Sequence, residues 1–135
     1  MAATEVFIDT NVLLYLLDEN GAKAETAQEI VASGGVISVQ VLNEFIHVGM
    51  RKHALRWPGI EDYVDNFRAT LRIDPLTVDV QSLAMTIART YRLSIFDANI
   101  LAAAETGGCR IVYSEDMQPG QCIGSLTIRN PFADA

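Results

Sequence analysis

Short apolar runs rich in β-branched residues alternate along this chain with longer stretches of helical period. That alternation limits the fold more than any other feature. Glu5–Ile8, Val36–Ser38 and Arg110–Tyr113 are brief, apolar and bounded by polar or turn residues, as buried strands are. Each is separated from the next by helical patterns, so the strands cannot pair as tight hairpins. Such an order implies a parallel sheet with helices on its faces. A chain of 135 residues is long enough to bury one real core and too short for two. The expectation is a single α/β domain over residues 1–135, with a central parallel sheet of four to five short strands.

The helices follow from apolar spacing and stop signals. The first covers about Asn11 to Leu17 and ends in the turn Asp18-Glu19-Asn20-Gly21. The second runs from Ala22 to Ala32, with Ala24, Ala27, Ile30 and Val31 inward, and Ser33-Gly34-Gly35 stops it. The third covers Gln40 to about His53. Trp57-Pro58 opens a fourth, since proline is tolerated in a first helical turn; its inner face is Ile60, Tyr63, Val64, Phe67 and Leu71. Ile73-Asp74-Pro75-Leu76 is a short extended piece whose proline points to a sheet edge or a strand end. A fifth helix covers Asp79–Tyr91. A sixth begins at Ser94, carries Ile95, Ile100, Leu101, Ala103 and Ala104, and ends at Gly107-Gly108. Gly124–Ile128 reads as a last edge strand.

Half of the residues are apolar and 20% are charged, as in a soluble globular protein. No apolar run is long enough to span a bilayer, and no basic region precedes an apolar one at the start, so the expected location is the cytoplasm. Cys109 and Cys122 are then expected to stay reduced and to pack. Their spacing from His47 and His53 does not suit zinc. With 17 acidic and 10 basic residues the net charge is −7, which argues against non-specific nucleic-acid binding over the whole surface. It leaves room for a nuclease, because clustered carboxylates can hold divalent metals that carry positive charge to a phosphate.

Four acids stand at or just after strand ends. Asp9 follows the first strand and Glu44 lies near the start of the helix after the second. Asp97 is in the first turn of a helix, and Asp116 comes three residues after Tyr113. In open α/β sheets ligands bind at the carboxyl ends of the strands, and all four acids can lie on that edge. Each also has a structural reading. Asp9, Thr10 and Asn11 suit a helix cap, and Glu44 suits a solvated helix face. Asp97 stands three residues after Ser94, the spacing of a capping box, and Asp116 suits a turn. Together they suggest more. Carboxylates that share a site without a basic partner raise one another's pKa. Oxygen-only ligands fit Mg²⁺ or Mn²⁺.

The segments Phe7-Ile8-Asp9-Thr10-Asn11-Val12-Leu13-Leu14-Tyr15, Ser38 with Glu44, Phe96-Asp97-Ala98, Ser114-Glu115-Asp116 and Asn130-Pro131-Phe132 resemble the PIN-domain nucleases. Among these the chain looks most like the VapC toxins of bacterial toxin–antitoxin pairs. The resemblance runs from Val6 to Phe132. It implies a metal site of Asp9, Glu44, Asp97 and Asp116, with Asn11 and the small polar Ser114 as supporting or substrate-contacting groups. Glu115 is an extra acid that competes with Asp116 for the fourth position. The implied activity is Mg²⁺- or Mn²⁺-dependent hydrolysis of RNA phosphodiester bonds. The implied partners are RNA, a VapB-like antitoxin that blocks the acidic groove with a basic side chain, and a second copy in a homodimer. Apolar residues of the first four helices are the candidate surface for the protein contacts. Arg51-Lys52-His53 with Arg56 is a candidate RNA-backbone contact or a solvated helix end.

Other classes remain to be compared. A receiver domain or aspartyl-phosphate phosphatase also places an Asp after its first strand, but needs a lysine after a later one. The lysines here are Lys23 and Lys52, and neither follows a predicted strand. A housekeeping PIN-domain RNA-processing nuclease is the main rival to a toxin. A PIN-fold binding module without catalysis would not need all four acids.

Overall fold

The structure, a computed structural model, describes residues 5–18 and 21–133. The turn expected at Glu19 and Asn20 lies outside these. The elements in chain order are β1 (Val6–Ile8), α1 (Thr10–Leu14), a 3-10 turn (Tyr15–Leu17), α2 (Ala22–Ser33), β2 (Val36–Ser38) and α3 (Val39–Lys52). They continue with α4 (Trp57–Thr70), β3 (Arg72–Asp74), α5 (Val78–Tyr91), α6 (Ile95–Thr106), β4 (Ile111–Tyr113), β5 (Cys122–Ile123) and β6 (Leu126–Arg129). The strands form one sheet in the order β3-β2-β1-β4-β6-β5.

The α/β class and the parallel core are as expected: β3, β2, β1, β4 and β6 all run parallel. Two details differ. Among the described residues there are six strands, and the sixth arises because β5 and β6 form a short antiparallel hairpin around Gly124, which has φ +58°. The expected Gly124–Ile128 strand therefore begins at Leu126 and lies inside the sheet, paired with β4 on one side and β5 on the other. A two-residue strand is too short to show a period in sequence. The expected first helix also divides: α1 tightens after Leu14 into a 3-10 turn, a common way to finish a short helix.

The chain starts in the middle of the sheet. From β1 it steps to β2 and β3 on one side, then crosses to β4 and β6 on the other. That reversal opens a crevice at the carboxyl ends of β1 and β4, where such folds bind ligands. Two adjoining glycines make the return to β2 possible. Gly34 has φ +86° and Gly35 φ +149°, and a Cβ on Gly35 would lie 2.9 Å from the Val6 carbonyl oxygen. Only glycine accepts both the backbone angle and the close approach.

The core is built from both faces of the sheet. Phe7, Ile8, Val36, Ile37 and Val112 are fully buried strand residues, joined by Val12, Leu13, Phe45, Phe67 and Leu101 from the helices. Phe45 and Phe67 meet edge to face at 5.1 Å, which locks α3 against α4. α6 is buried at every position from Ala98 to Ala104; small side chains let it lie close between its neighbours. Ile95 is exposed on its first turn, and Phe96 beside it is 63% exposed. Exposed apolar side chains also lie on α5 (Val78, Met85), beyond the first four helices that sequence singled out, as well as at Met50 and Trp57. Cys109 packs but Cys122 does not; it is an exposed thiol on the edge strand. Among the described residues no helix is long and apolar enough to cross a membrane.

Phe67→Ala is expected to lower the unfolding free energy by about 3–5 kcal/mol. Urea denaturation at pH 7 measures this; a loss near zero would mean that α4 does not close the core.

Candidate metal centre

Strand β1 ends at Ile8, and the next residue, Asp9, is at once the last of the extended run and the N-cap of α1. Its two oxygens do different work. Oδ1 accepts the adjacent Thr10 N–H at 2.7 Å, which is the capping role. Oδ2 faces across the crevice to the end of β4, where it accepts the Ser114 hydroxyl at 2.9 Å and the Asn11 amide at 3.0 Å. The helix cap and the site are therefore one residue. β1 and β4 are registered Ile8 to Tyr113, and the Asp9 N–H donates to the Tyr113 carbonyl at 2.9 Å. That pairing continues the ladder one step past the strand and fixes the distance between Asp9 and Ser114.

Ser114 is fully buried. While donating to Asp9, its Oγ accepts the N–H groups of Asp116 and Met117, each at 3.3 Å. Asn11 completes the clasp. Its amide nitrogen lies 3.3 Å from Ser114 Oγ and 3.2 Å from Asp116 Oδ2, while its Oδ1 accepts the Glu115 N–H at 3.0 Å. Two uncharged side chains thus shape the loop that carries Asp116.

The other acids come from separate helices. Glu44, on α3 after the Ser38 cap, is half-buried and takes the Thr10 hydroxyl on Oε1 at 3.3 Å. Asp97, on α6, gives its N–H to the Ser94 hydroxyl at 3.1 Å, so the expected cap is real and the residue still faces the other acids. Burial pushes the Asp9 carboxyl from its ordinary value of 3.8 up to about 6; Ser114 and Thr10 oppose this, and the charges on Glu44 and Asp97 add to it. Burial also raises the Glu44 carboxyl, with Thr10 opposing and Asp97 adding. For Asp97 burial again leads, then the charge on Asp116, with Ser94 opposing. All four acids are thus within electrostatic reach of one another in a chain from Glu44 and Asp9 through Asp97 to Asp116.

Glu115 takes no part in that chain. Tyr15 donates to its Oε1 at 2.6 Å, and Lys23 donates to its Oε2. These bonds hold its carboxyl below the usual glutamate range, Lys23 contributing most. With both oxygens engaged toward α2, it does not compete with Asp116. The expected basic run divides too: His53 lines the groove beside Asn11 and Asp116, while Arg51 and Lys52 are exposed at the end of α3.

Sequence reading missed Lys23, Tyr15 and Thr10. Thr10 had a signal, a hydroxyl directly after a strand-end acid. Lys23 and Tyr15 had none, because they meet Glu115 only through the fold.

Do these residues suit a hard divalent cation? Among the described residues, no basic side chain bonds to Asp9, Glu44, Asp97 or Asp116. The charge gathered there lacks a protein counter-ion, and that favours a cation. Among the same residues, no three His, Cys, Asp or Glu side chains stand close enough to clasp one ion directly. Mg²⁺ does not require that, since it keeps several waters and is commonly held by one or two carboxylates. An oxygen-only, open arrangement suits it better than zinc.

The PIN domain family model matches residues 6–118, and the chain belongs to that family. The match includes all four acids, Asn11 and Ser114. Among solved structures the chain is similar to VapC20 of Mycobacterium tuberculosis, a sarcin-ricin-loop-cleaving toxin. The two are 21% identical, with a TM-score of 0.69 over 83% of this chain and 90% of that one. It is similar to a toxin–antitoxin complex from Klebsiella pneumoniae at 20% identity and a TM-score of 0.70, over 95% of this chain and 98% of that one. FitAcB from Neisseria gonorrhoeae is 18% identical, with a TM-score of 0.66 over 94% and 98%. At such identities the likeness establishes the fold. No curated protein matches the chain in sequence.

The raised Asp9 value has a consequence for stability. Between pH 3.8 and about 6 the folded chain keeps a proton that the unfolded chain has released. This contribution is complete at low pH and is lost as pH rises through about 6. Asp9→Asn, which cannot ionise, should gain on the metal-free native protein by on the order of 2–3 kcal/mol between pH 4 and pH 7. Urea unfolding in EDTA across that range checks it; a difference independent of pH would show that burying the charge is not what costs stability.

Proposed function

We propose that this chain is a Mg²⁺- or Mn²⁺-dependent endoribonuclease that hydrolyses RNA phosphodiester bonds, and that it is the toxin of a type II toxin–antitoxin pair. The observation that supports the reading is the electrostatic coupling of Asp9, Glu44, Asp97 and Asp116, with no basic side chain bonded to them among the described residues. Membership in the PIN domain family supports the nuclease. The toxin and toxin–antitoxin structures it resembles support the toxin over a housekeeping RNA-processing enzyme.

In this reading Asp9 and Asp97 hold the ion, and Glu44 and Asp116 complete its surroundings or hold a second one. When bound, the ion acidifies a water and offsets charge that develops on the phosphate. The chain's own residues do the rest. Asp9 is kept rigid by three hydrogen bonds, so its free lone pairs have a fixed direction. Thr10 fixes Oε1 of Glu44 and leaves Oε2 to orient the attacking water and accept its proton. The raised Glu44 value makes it a stronger base than an ordinary glutamate. Asn11 and Ser114 hold Asp116 in reach of the phosphate.

An antitoxin of basic character would suit the acidic groove and the net charge of −7. Apolar surface at Trp57, Val78, Met85 and Phe96 is available to the antitoxin and to a second copy in a homodimer. The proposed setting is the cytoplasm.

Purified protein should cleave RNA with Mg²⁺ or Mn²⁺ and stop in EDTA. Asp97→Ala should slow cleavage on the order of a thousandfold. End-labelled RNA on denaturing gels measures both. Cleavage that persists in EDTA would remove the metal mechanism, and full activity of the variant would remove the site.

A further inference from the structure

A groove of about 570 Å³ opens beside the acids, within the size range of small-ligand pockets. Asn11 and Asp116, which are bonded to each other, line it, so it adjoins the acidic cluster. Leu14, Leu17 and Tyr15 give it apolar wall, and Asp18 and His53 also line it. We propose that this groove is a nucleobase pocket, seating the base next to the cleaved phosphate and favouring cytosine or adenine over uracil. The inference rests on the ribonuclease reading.

The chemistry of the lining selects among the parts of an RNA strand. Away from the acidic cluster, a phosphate would meet Asp18 and be repelled. A base is uncharged and flat, and stacks on apolar and aromatic walls. Tyr15 is a rigid wall: its hydroxyl is bonded to Glu115, Lys23 lies over its ring at 4.9 Å, and Phe132 meets it edge to face, also at 4.9 Å. His53 offers a second ring from the end of α3.

Selectivity comes from the carboxylates that remain. Glu115 lines the groove, but Tyr15 and Lys23 occupy both its oxygens. Asp116 belongs to the acidic cluster through Asn11. Among the described residues that line the groove, that leaves Asp18, whose carboxylate oxygens accept hydrogen bonds. It pairs with an exocyclic amine, N4 of cytosine or N6 of adenine. Uracil presents a carbonyl oxygen at the corresponding position, and two acceptors facing each other are unfavourable.

The test uses the chain with Asp97→Asn, to prevent cleavage, in Mg²⁺. Fluorescein-labelled ten-nucleotide RNAs of all cytidine, all adenosine or all uridine are titrated by fluorescence anisotropy. The cytidine and adenosine strands should bind about tenfold tighter than the uridine strand. Adding Asp18→Asn, which places an amide donor beside the acceptor at an exposed position, should erase the preference while the melting temperature holds. Equal binding of the three strands overturns the proposal. So does a preference unmoved by Asp18→Asn, an outcome that would leave the groove to a basic side chain of a protein partner. The wild-type chain is assayed for cleavage of the same strands in parallel. Cleavage without base preference would refute the pocket alone, and preference without cleavage in any metal would refute the nuclease alone.

Discussion

One buried carboxylate governs this molecule. Asp9 is only 7% exposed, sits at the end of the central strand, and has no cation bonded to it among the described residues. Burying such a group is costly unless hydrogen bonds surround it. Three are supplied, from Thr10, Asn11 and Ser114, and they come from both sides of the crevice. The arrangement therefore ties β1 to the loop after β4 wherever the charge on Asp9 has to be accommodated. Even so, burial outweighs the hydrogen bonds, since the carboxyl remains near 6.

The four acids have unequal support. Asp9 is rigid and buried. Glu44 and Asp97 are half-buried, each tied by a hydroxyl, Thr10 for one and Ser94 for the other. Asp116 is exposed and held through Asn11. Glu115 shows how an adjacent acid is kept from interfering. Lys23 and Tyr15 turn it toward α2, so one step along the chain separates a loop anchor from a site carboxylate.

Topology explains why these residues meet at all. The chain begins in the centre of the sheet and reverses direction across it, and that reversal leaves the ends of β1 and β4 uncovered together. α3 and α6 then bring Glu44 and Asp97 to the opening, one after a strand and one from a helix buried among small residues. The Asn11 side chain reaches across 104 positions of sequence to the Glu115 amide. That bond exists only because β1 and β4 are adjacent and parallel.

The alternation of apolar runs with helical spacing set the α/β class. The polar residue after each strand marked where chemistry could gather, because strand ends and helix starts expose unpaired backbone groups that short polar side chains satisfy. That pattern singled out Asp9, Glu44, Asp97 and Asp116 as candidates, while Ser114 entered through the family resemblance. Local pattern failed where elements were too short to have a period, as with the β5–β6 hairpin and the 3-10 turn after Leu14. It failed also where a partner lay far off, as with Lys23 and Glu115. Whether an acid joins the cluster or an ion pair depends on which side chains lie within a few ångströms. Only the packing of helices on the sheet decides that, because neighbours in space are not neighbours in sequence.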